Sequence, residues 1–243
     1  MILNTQPVEK RFDDPRGRVE LHSMFFTLQG EGPFSGQRAV FIRLAGCNLM
    51  CPGCDTEYTS TRELIDPETM IERIDQLCNE QEVDWIDRPL IVITGGEPFR
   101  QRLGPLCQDL ADEGFRVQIE TNGVFEACDQ VKQLIVMGFV GVVVSPKTSR
   151  IHASWAEYAM AFKYVLERKH QNLDDGLPTL ALGHKATPHI ARPPQGFKGP
   201  IFLNPMDNKD PWINQRNAEA VAKAAMQFGY IAGVQMHKIF NLE

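Results

Sequence analysis

Three of the six cysteines of this chain fall within eight residues, as Cys47, Cys51 and Cys54. Their spacing, C-x3-C-x2-C, puts three soft thiolates on one short loop, a ligand set suited to an iron–sulfur cluster or to zinc. Structural zinc takes four protein ligands, often as two separated pairs. No fourth cysteine stands at a suitable spacing, because Cys78, Cys107 and Cys128 fall in predicted helices and read as small core residues. Three thiolates on a four-iron cube leave one iron open, free to bind and reduce a further ligand. A zinc-binding or redox-active loop is the competing reading.

Four more polar turns follow the cysteine loop: Gly95-Gly96-Glu97-Pro98, Glu120-Thr121-Asn122-Gly123, Ser145-Pro146-Lys147 and Asn204-Pro205. Paired glycines let a backbone approach a ligand closely, and Pro98 stiffens the exit. Glu97 and nearby carbonyls suit an ammonium. Glu120 can accept from hydroxyls and Ser145 can donate to a carboxylate, although a helix cap and a turn hydroxyl are the plainer readings. Upstream, Leu28-Gln29-Gly30-Glu31 reads as a turn by composition.

These turns need elements to hold them. Apolar runs at 39–44, 89–94, 116–121, 140–145, 161–166 and 201–204 read as strands. Helices are predicted over 67–80, with Asp66 as cap and Pro67 at its first position, and over 103–113, stopped by Gly114. Two more are predicted over 127–137, closed by Gly138, and from about 215 to 228. Alternation of this kind implies right-handed crossovers and a parallel sheet. The expected fold is α/β, a partial, open parallel β/α barrel of about six strands in a single domain spanning 1–243. Residues 172–199, rich in Pro, Gly and His, read as an irregular insertion. Each polar turn follows a predicted strand, so all five should meet on the rim at the C-terminal strand ends.

The chain has 243 residues and a formal charge of −6, which argues against broad attraction to nucleic acid. No run of about 18 apolar residues suggests a membrane span. The polar N-terminus lacks a signal-peptide core, so a cytoplasmic setting is expected.

With these turns behind it, the cysteine triple resembles the radical S-adenosylmethionine (SAM) superfamily. That resemblance implies a [4Fe-4S] cluster on Cys47, Cys51 and Cys54. It implies SAM held by Gly95, Gly96, Glu97, Glu120, Ser145, Lys147 and Asn204, and cleaved to a 5′-deoxyadenosyl radical. One departure stands out: the residue before the third cysteine is usually aromatic, and here it is Gly53.

The Thr27–Gly32 block, Arg43, Asp55-Thr56 and the terminal Gln235-Met236-His237-Lys238 make the chain similar to the 7-carboxy-7-deazaguanine synthases. These are radical enzymes of queuosine and 7-deazapurine biosynthesis. The resemblance runs from about residue 21 to 238 and is poor in the irregular segment after 166. It implies conversion of 6-carboxy-5,6,7,8-tetrahydropterin to 7-carboxy-7-deazaguanine with loss of ammonia. The pterin would meet Leu28, Gln29, Gly30, Glu31, Arg43, Thr94 and His237, with Mg2+ beside Thr56. A reductant such as flavodoxin or ferredoxin and a homodimer are also implied. For Thr56 the plainer role is a turn cap with Asp55, for Arg43 an ion pair at a strand end, and for His237 a core histidine. A glycyl-radical activase, and a non-catalytic metal-binding interaction protein, are the rival functions.

Overall fold

The computed structural model of the protein describes residues 4–83, 87–184 and 189–242. Its centre is one open sheet, to which nine strands belong among the described residues. Six of them form the parallel core: β2 (Arg38–Leu44), β4 (Leu90–Gly95), β5 (Val117–Thr121), β6 (Val140–Val144), β7 (Ala161–Leu166) and β8 (Ile201–Pro205). These are the six predicted strands, shifted at their ends by a residue or so. Their near-continuous Val, Ile and Leu content suits strands covered on both faces.

Three further strands extend the predicted sheet. β1 (Val19–Leu28) lies antiparallel to β2, and β3 (Glu63–Ile65) lies antiparallel to β1. β9 (Ile231–Ala232) adds a short parallel edge beside β8, which completes the order β3-β1-β2-β4-β5-β6-β7-β8-β9. Leu28 is therefore the last residue of a strand, and the turn proper begins at Gln29.

The crossover helices form for local reasons. α1 (Pro67–Glu80) has Pro67 at its start, and the Asp66 carboxylate accepts from Thr69 N–H. Its buried Met70, Ile74 and Cys78 repeat at intervals of four and face the sheet. α2 (Gly104–Asp112) and α3 (Asp129–Val136) bring Leu106, Leu110, Val131 and Leu134 into the same core. A short α4 (Trp155–Tyr158) buries Trp155, whose indole N–H donates to the carbonyls of Gly123 and Phe125. α5 (Pro211–Phe228) begins four residues earlier than predicted. Asp210 caps it by accepting from the N–H groups of Trp212 and Ile213, and Gly229 ends it at φ 76°. α6 (Met236–Phe240) follows β9 and buries none of its residues.

Cys78 and Cys107 are buried as expected, but Cys128 is exposed and sits at the N-cap of α3. The 172–199 segment carries two isolated bridges: Pro178 pairs with Gln171, and Ala181 with His184. Residues 185–188 of that segment lie outside the described residues. Among the described residues no helix is long and apolar enough to cross a membrane.

Candidate functional site

The C-terminal ends of β2 and β4 to β7 open into one cavity of about 500 Å³. Cys47, Cys51 and Cys54 line one part of it, on the loop that leaves β2. The three thiols are free. Burial pushes Cys47 up to about 12 and Cys51 up to about 11, and it raises Cys54 as well. Among the described residues no three His, Cys, Asp or Glu side chains converge as a single metal ion requires. A four-iron cube makes no such demand, since each thiolate binds its own iron. Lys147 lines the cavity nearby, donating to the carbonyl and hydroxyl of Ser145 at 2.8 and 2.6 Å. Burial lowers its ammonium, and the neighbouring Cys51 works the other way.

The cysteine loop is held from two sides. Outside, the N-terminal segment runs along it: Asn4 N–H donates to the Pro52 carbonyl and Glu9 N–H to the Cys47 carbonyl. Inside, the glycine turn after β4 is stitched to it, with Gly96 N–H on the Leu44 carbonyl and Glu97 N–H on the Gly46 carbonyl. The approach is close enough that a Cβ on Gly96 would stand 2.0 Å from the Gly46 oxygen. The paired glycines, expected to admit a ligand, thus also admit the backbone that launches the cysteines.

Glu97 itself does not line the cavity. It is fully buried, and its carboxylate accepts from Phe99 N–H, from the Thr121 hydroxyl at 2.6 Å and from Asn122 N–H at 2.8 Å. Burial raises its carboxyl, while those donors favour the ionised form. Glu97 therefore ties the turn after β4 to the turn after β5. Asn122 in turn donates from its amide to the Asn48 carboxamide oxygen, beside Cys47.

Glu120, Gln29 and Glu31 meet in the cavity around a residue the sequence reading missed. Lys163, inside β7, places its ammonium 2.7 Å from Glu31 and 2.6 Å from Glu120. Gln118 and Gln29 donate to the other Glu120 oxygen, and Gln235 donates to Glu31 at 2.7 Å. Burial alone would raise Glu31, but the charge and hydrogen bond of Lys163 hold its carboxyl down to about 2. Burial likewise opposes the charge on Lys163, and the two carboxylates overcome it and raise the ammonium. The signal was a lone lysine in the otherwise apolar run Ala161–Leu166.

Arg43, Leu28, Gly30, Thr56, Thr94 and His237 line the same cavity. The Arg43 guanidinium lies over the Phe25 ring, 5.1 Å from its centroid, and among the described residues no carboxylate pairs with it. Its Nε is buried without a hydrogen-bond partner. Among the described residues Arg43 therefore has no strand-end ion pair, and its side chain lines the cavity. His237 reaches the cavity from α6, with burial lowering its imidazole. Met236 N–H donates to the Gly30 carbonyl, and a Cβ on Gly30 would fall 2.2 Å from the His237 ring. The C-terminal segment thus docks on the Gln29–Glu31 turn.

Asn204 is fully buried at the end of β8 but does not line the cavity. Neither end of its carboxamide has a partner among the described residues. It packs so closely on Gly233 that a Cβ there would be 1.8 Å from its oxygen.

Residues 28–148 match the 4Fe-4S single cluster domain family. The chain is similar to the 7-carboxy-7-deazaguanine synthase of Rhodospirillum rubrum, 37% identical over 91% of this chain and 92% of that one. It is similar to that of Rickettsia prowazekii at 33% identity, covering 93% and 89%, and to that of Aquifex aeolicus at 30%, covering 93% and 94%. Its fold matches the crystal structure of QueE from Escherichia coli with a TM-score of 0.64 over 90% of this chain and 94% of that one, at 24% identity.

Proposed function

The chain belongs to the 7-carboxy-7-deazaguanine synthase family, and from that premise we propose that it contracts 6-carboxy-5,6,7,8-tetrahydropterin to 7-carboxy-7-deazaguanine, releasing ammonia. The observation that carries this reading is the unpaired Arg43 facing the same cavity as the three cysteines. A planar guanidinium with no carboxylate of its own suits a substrate carboxylate, which it grips through two parallel hydrogen bonds.

Cys47, Cys51 and Cys54 hold the [4Fe-4S] cluster. When bound, the cluster and SAM supply the radical that removes a hydrogen atom from the substrate; the protein's work is positioning and exclusion of water. Ser145 and Lys147 offer a hydroxyl and an ammonium to the methionine carboxylate. The backbone at Gly95 and Gly96 faces the cavity and receives the methionine ammonium, while Glu97 fixes that backbone from behind. Glu120 accepts from the ribose hydroxyls. Asn204, expected at the adenine end, stands behind the cavity wall, with both ends of its carboxamide unpaired among the described residues, and contributes no contact to this cradle.

On the substrate side, Glu31, Gln29 and the carbonyls of Leu28 and Gly30 accept from the N–H edge of the pterin. Thr94 flanks Arg43 across the β2–β4 pairing, where the two residues are direct partners. His237 closes the pocket from the C-terminal segment. A Mg2+ ion would take the Thr56 hydroxyl and keep most of its waters, as that ion tends to. The reading includes one domain, supported by all nine strands sharing one sheet. It also includes a cytoplasmic setting, a flavodoxin or ferredoxin as reductant, and a homodimer.

The test is anaerobic: the protein is reconstituted with iron and sulfide, then incubated with SAM, reductant and the carboxylated pterin. Formation of deoxyadenosine together with 7-carboxy-7-deazaguanine is expected. Deoxyadenosine without the deazaguanine would overturn the substrate.

A further inference from the structure

Gly53 stands between Pro52 and Cys54 with no side chain to offer the cavity it lines. The space beside it is taken by a turn from a distant part of the chain. Ala181 to His184 reverses tightly, with His184 N–H on the Ala181 carbonyl at 2.8 Å and φ of 50° at Leu182 and 73° at Gly183. Two left-handed residues in succession make a reversal that favours glycine or asparagine at both positions. Leucine in the first of them is strained, because its Cβ crowds the following carbonyl.

The turn is pinned to the cysteine loop. Gly53 N–H donates to the Leu182 carbonyl at 2.8 Å, and a Cβ on Gly183 would touch Pro52 at 3.4 Å. A Cβ on Gly53 would meet the Leu182 oxygen at 3.2 Å, tighter than an ordinary contact. The turn therefore lies where a side chain at position 53 would project. Leu182 is half-buried, and it lines the cavity together with the three cysteines. A residue serving only as core filler has no reason to sit strained at a cavity wall, whereas strain held by its surroundings is a recurring property of ligand clamps.

We propose that Leu182 is a cofactor-contacting residue, whose side chain gives the flat purine base of SAM the apolar surface that Gly53 cannot provide. The inference rests on the function proposed above. It turns the 181–184 part of the insertion into a wall of the cofactor site.

The experiment uses the full chain with its cluster reconstituted, as unaltered protein, Leu182→Gly and Leu182→Met. It reads iron and sulfide per chain, the melting temperature, and the SAM dissociation constant by anaerobic equilibrium dialysis. The change that SAM causes in the spin-resonance spectrum of the reduced cluster gives a second measure of binding. Glycine relieves the left-handed strain, so Leu182→Gly should melt no lower than the unaltered protein and keep its iron. Its SAM affinity should fall about 5- to 20-fold, the loss expected on removing a leucine contact. Leu182→Met should bind SAM within about threefold of the unaltered protein.

Unchanged affinity in Leu182→Gly overturns the inference. So does loss of iron in step with loss of SAM binding, since the turn would then only shelter the cluster loop. Equal weakening in Leu182→Met overturns it too. If the unaltered protein takes up its cluster yet binds no SAM, the function proposed above falls and carries the inference with it.

Discussion

Arg43 and Lys163 both bring positive charge to the cavity, with opposite partnerships. Arg43 is stacked on Phe25 and meets no carboxylate among the described residues, so its hydrogen-bonding capacity is available to a ligand. Arg43→Gln should raise KM for the carboxylated pterin by about 10- to 100-fold, the value of a charged hydrogen bond of about 1.5–3 kcal/mol. Cluster iron should not change, and steady-state kinetics beside an iron assay check both. Lys163 instead answers two carboxylates at once. Lys163→Met would leave Glu31 and Glu120 buried without their shared cation, at a cost of about 3–5 kcal/mol. The pH dependence has a definite sign. Glu31 is held at about 2 against an ordinary 4.5, so the stability it gains from Lys163 is complete above 4.5 and lost as pH falls toward 2. The difference in melting temperature between Lys163→Met and the parent should therefore shrink over that range.

At the level of elements, the site depends on how closely the turn after β4 sits against the start of the cysteine loop. Gly96→Ala would drive a methyl group toward the Gly46 oxygen and displace that loop. It should cost about 1–3 kcal/mol and lower iron uptake during reconstitution, read by denaturant unfolding and iron analysis. The six core strands were legible because strands covered on both faces are nearly continuous apolar runs. β1 was not, since its sequence VELHSMFFTL shows no clean alternation and its burial is mostly partial. β3 and β9, at three and two residues, carry too little pattern to read. The start of α5 is written in Asp210-Pro211, a cap followed by proline, whereas the apolar pattern begins only further on. At the site, residue types and spacing pointed to the cysteine loop and the turns after the strands, the resemblance added the substrate-side residues, and together they make up about half of the cavity lining. They could not show that Glu97 turns its carboxylate into the protein, because side-chain direction in a turn depends on donors from a different loop. Lys163 was hidden for the same reason, its two partners lying on other strands and turns.

For the molecule as a whole, the C-terminal segment closes the end of the cavity assigned to the pterin. It touches the Gln29–Glu31 turn through Gln235, Met236 and His237, while α6 contributes nothing buried. A chain ending at Val234 should fold with a melting temperature within a few degrees of the full protein and keep its iron. Its KM for the pterin should rise about tenfold or more with the loss of the Gln235 bond to Glu31 and of His237, measured by turnover at saturating SAM.

The Gln235–Glu31 bond joins positions 204 residues apart, whereas Glu97 ties together turns only some two dozen residues apart. A chain leaving the ribosome N-terminus first therefore has the Glu97 and Asn122 ties beside its cysteines well before the Leu182 turn, which also grips that loop, has emerged. The groups that shut the substrate end, Gln235 to His237, follow later still. The tie that frames the cysteine loop thus spans a short stretch of chain and the one that shuts the substrate end a long one, so the substrate end carries the larger loop-closure cost.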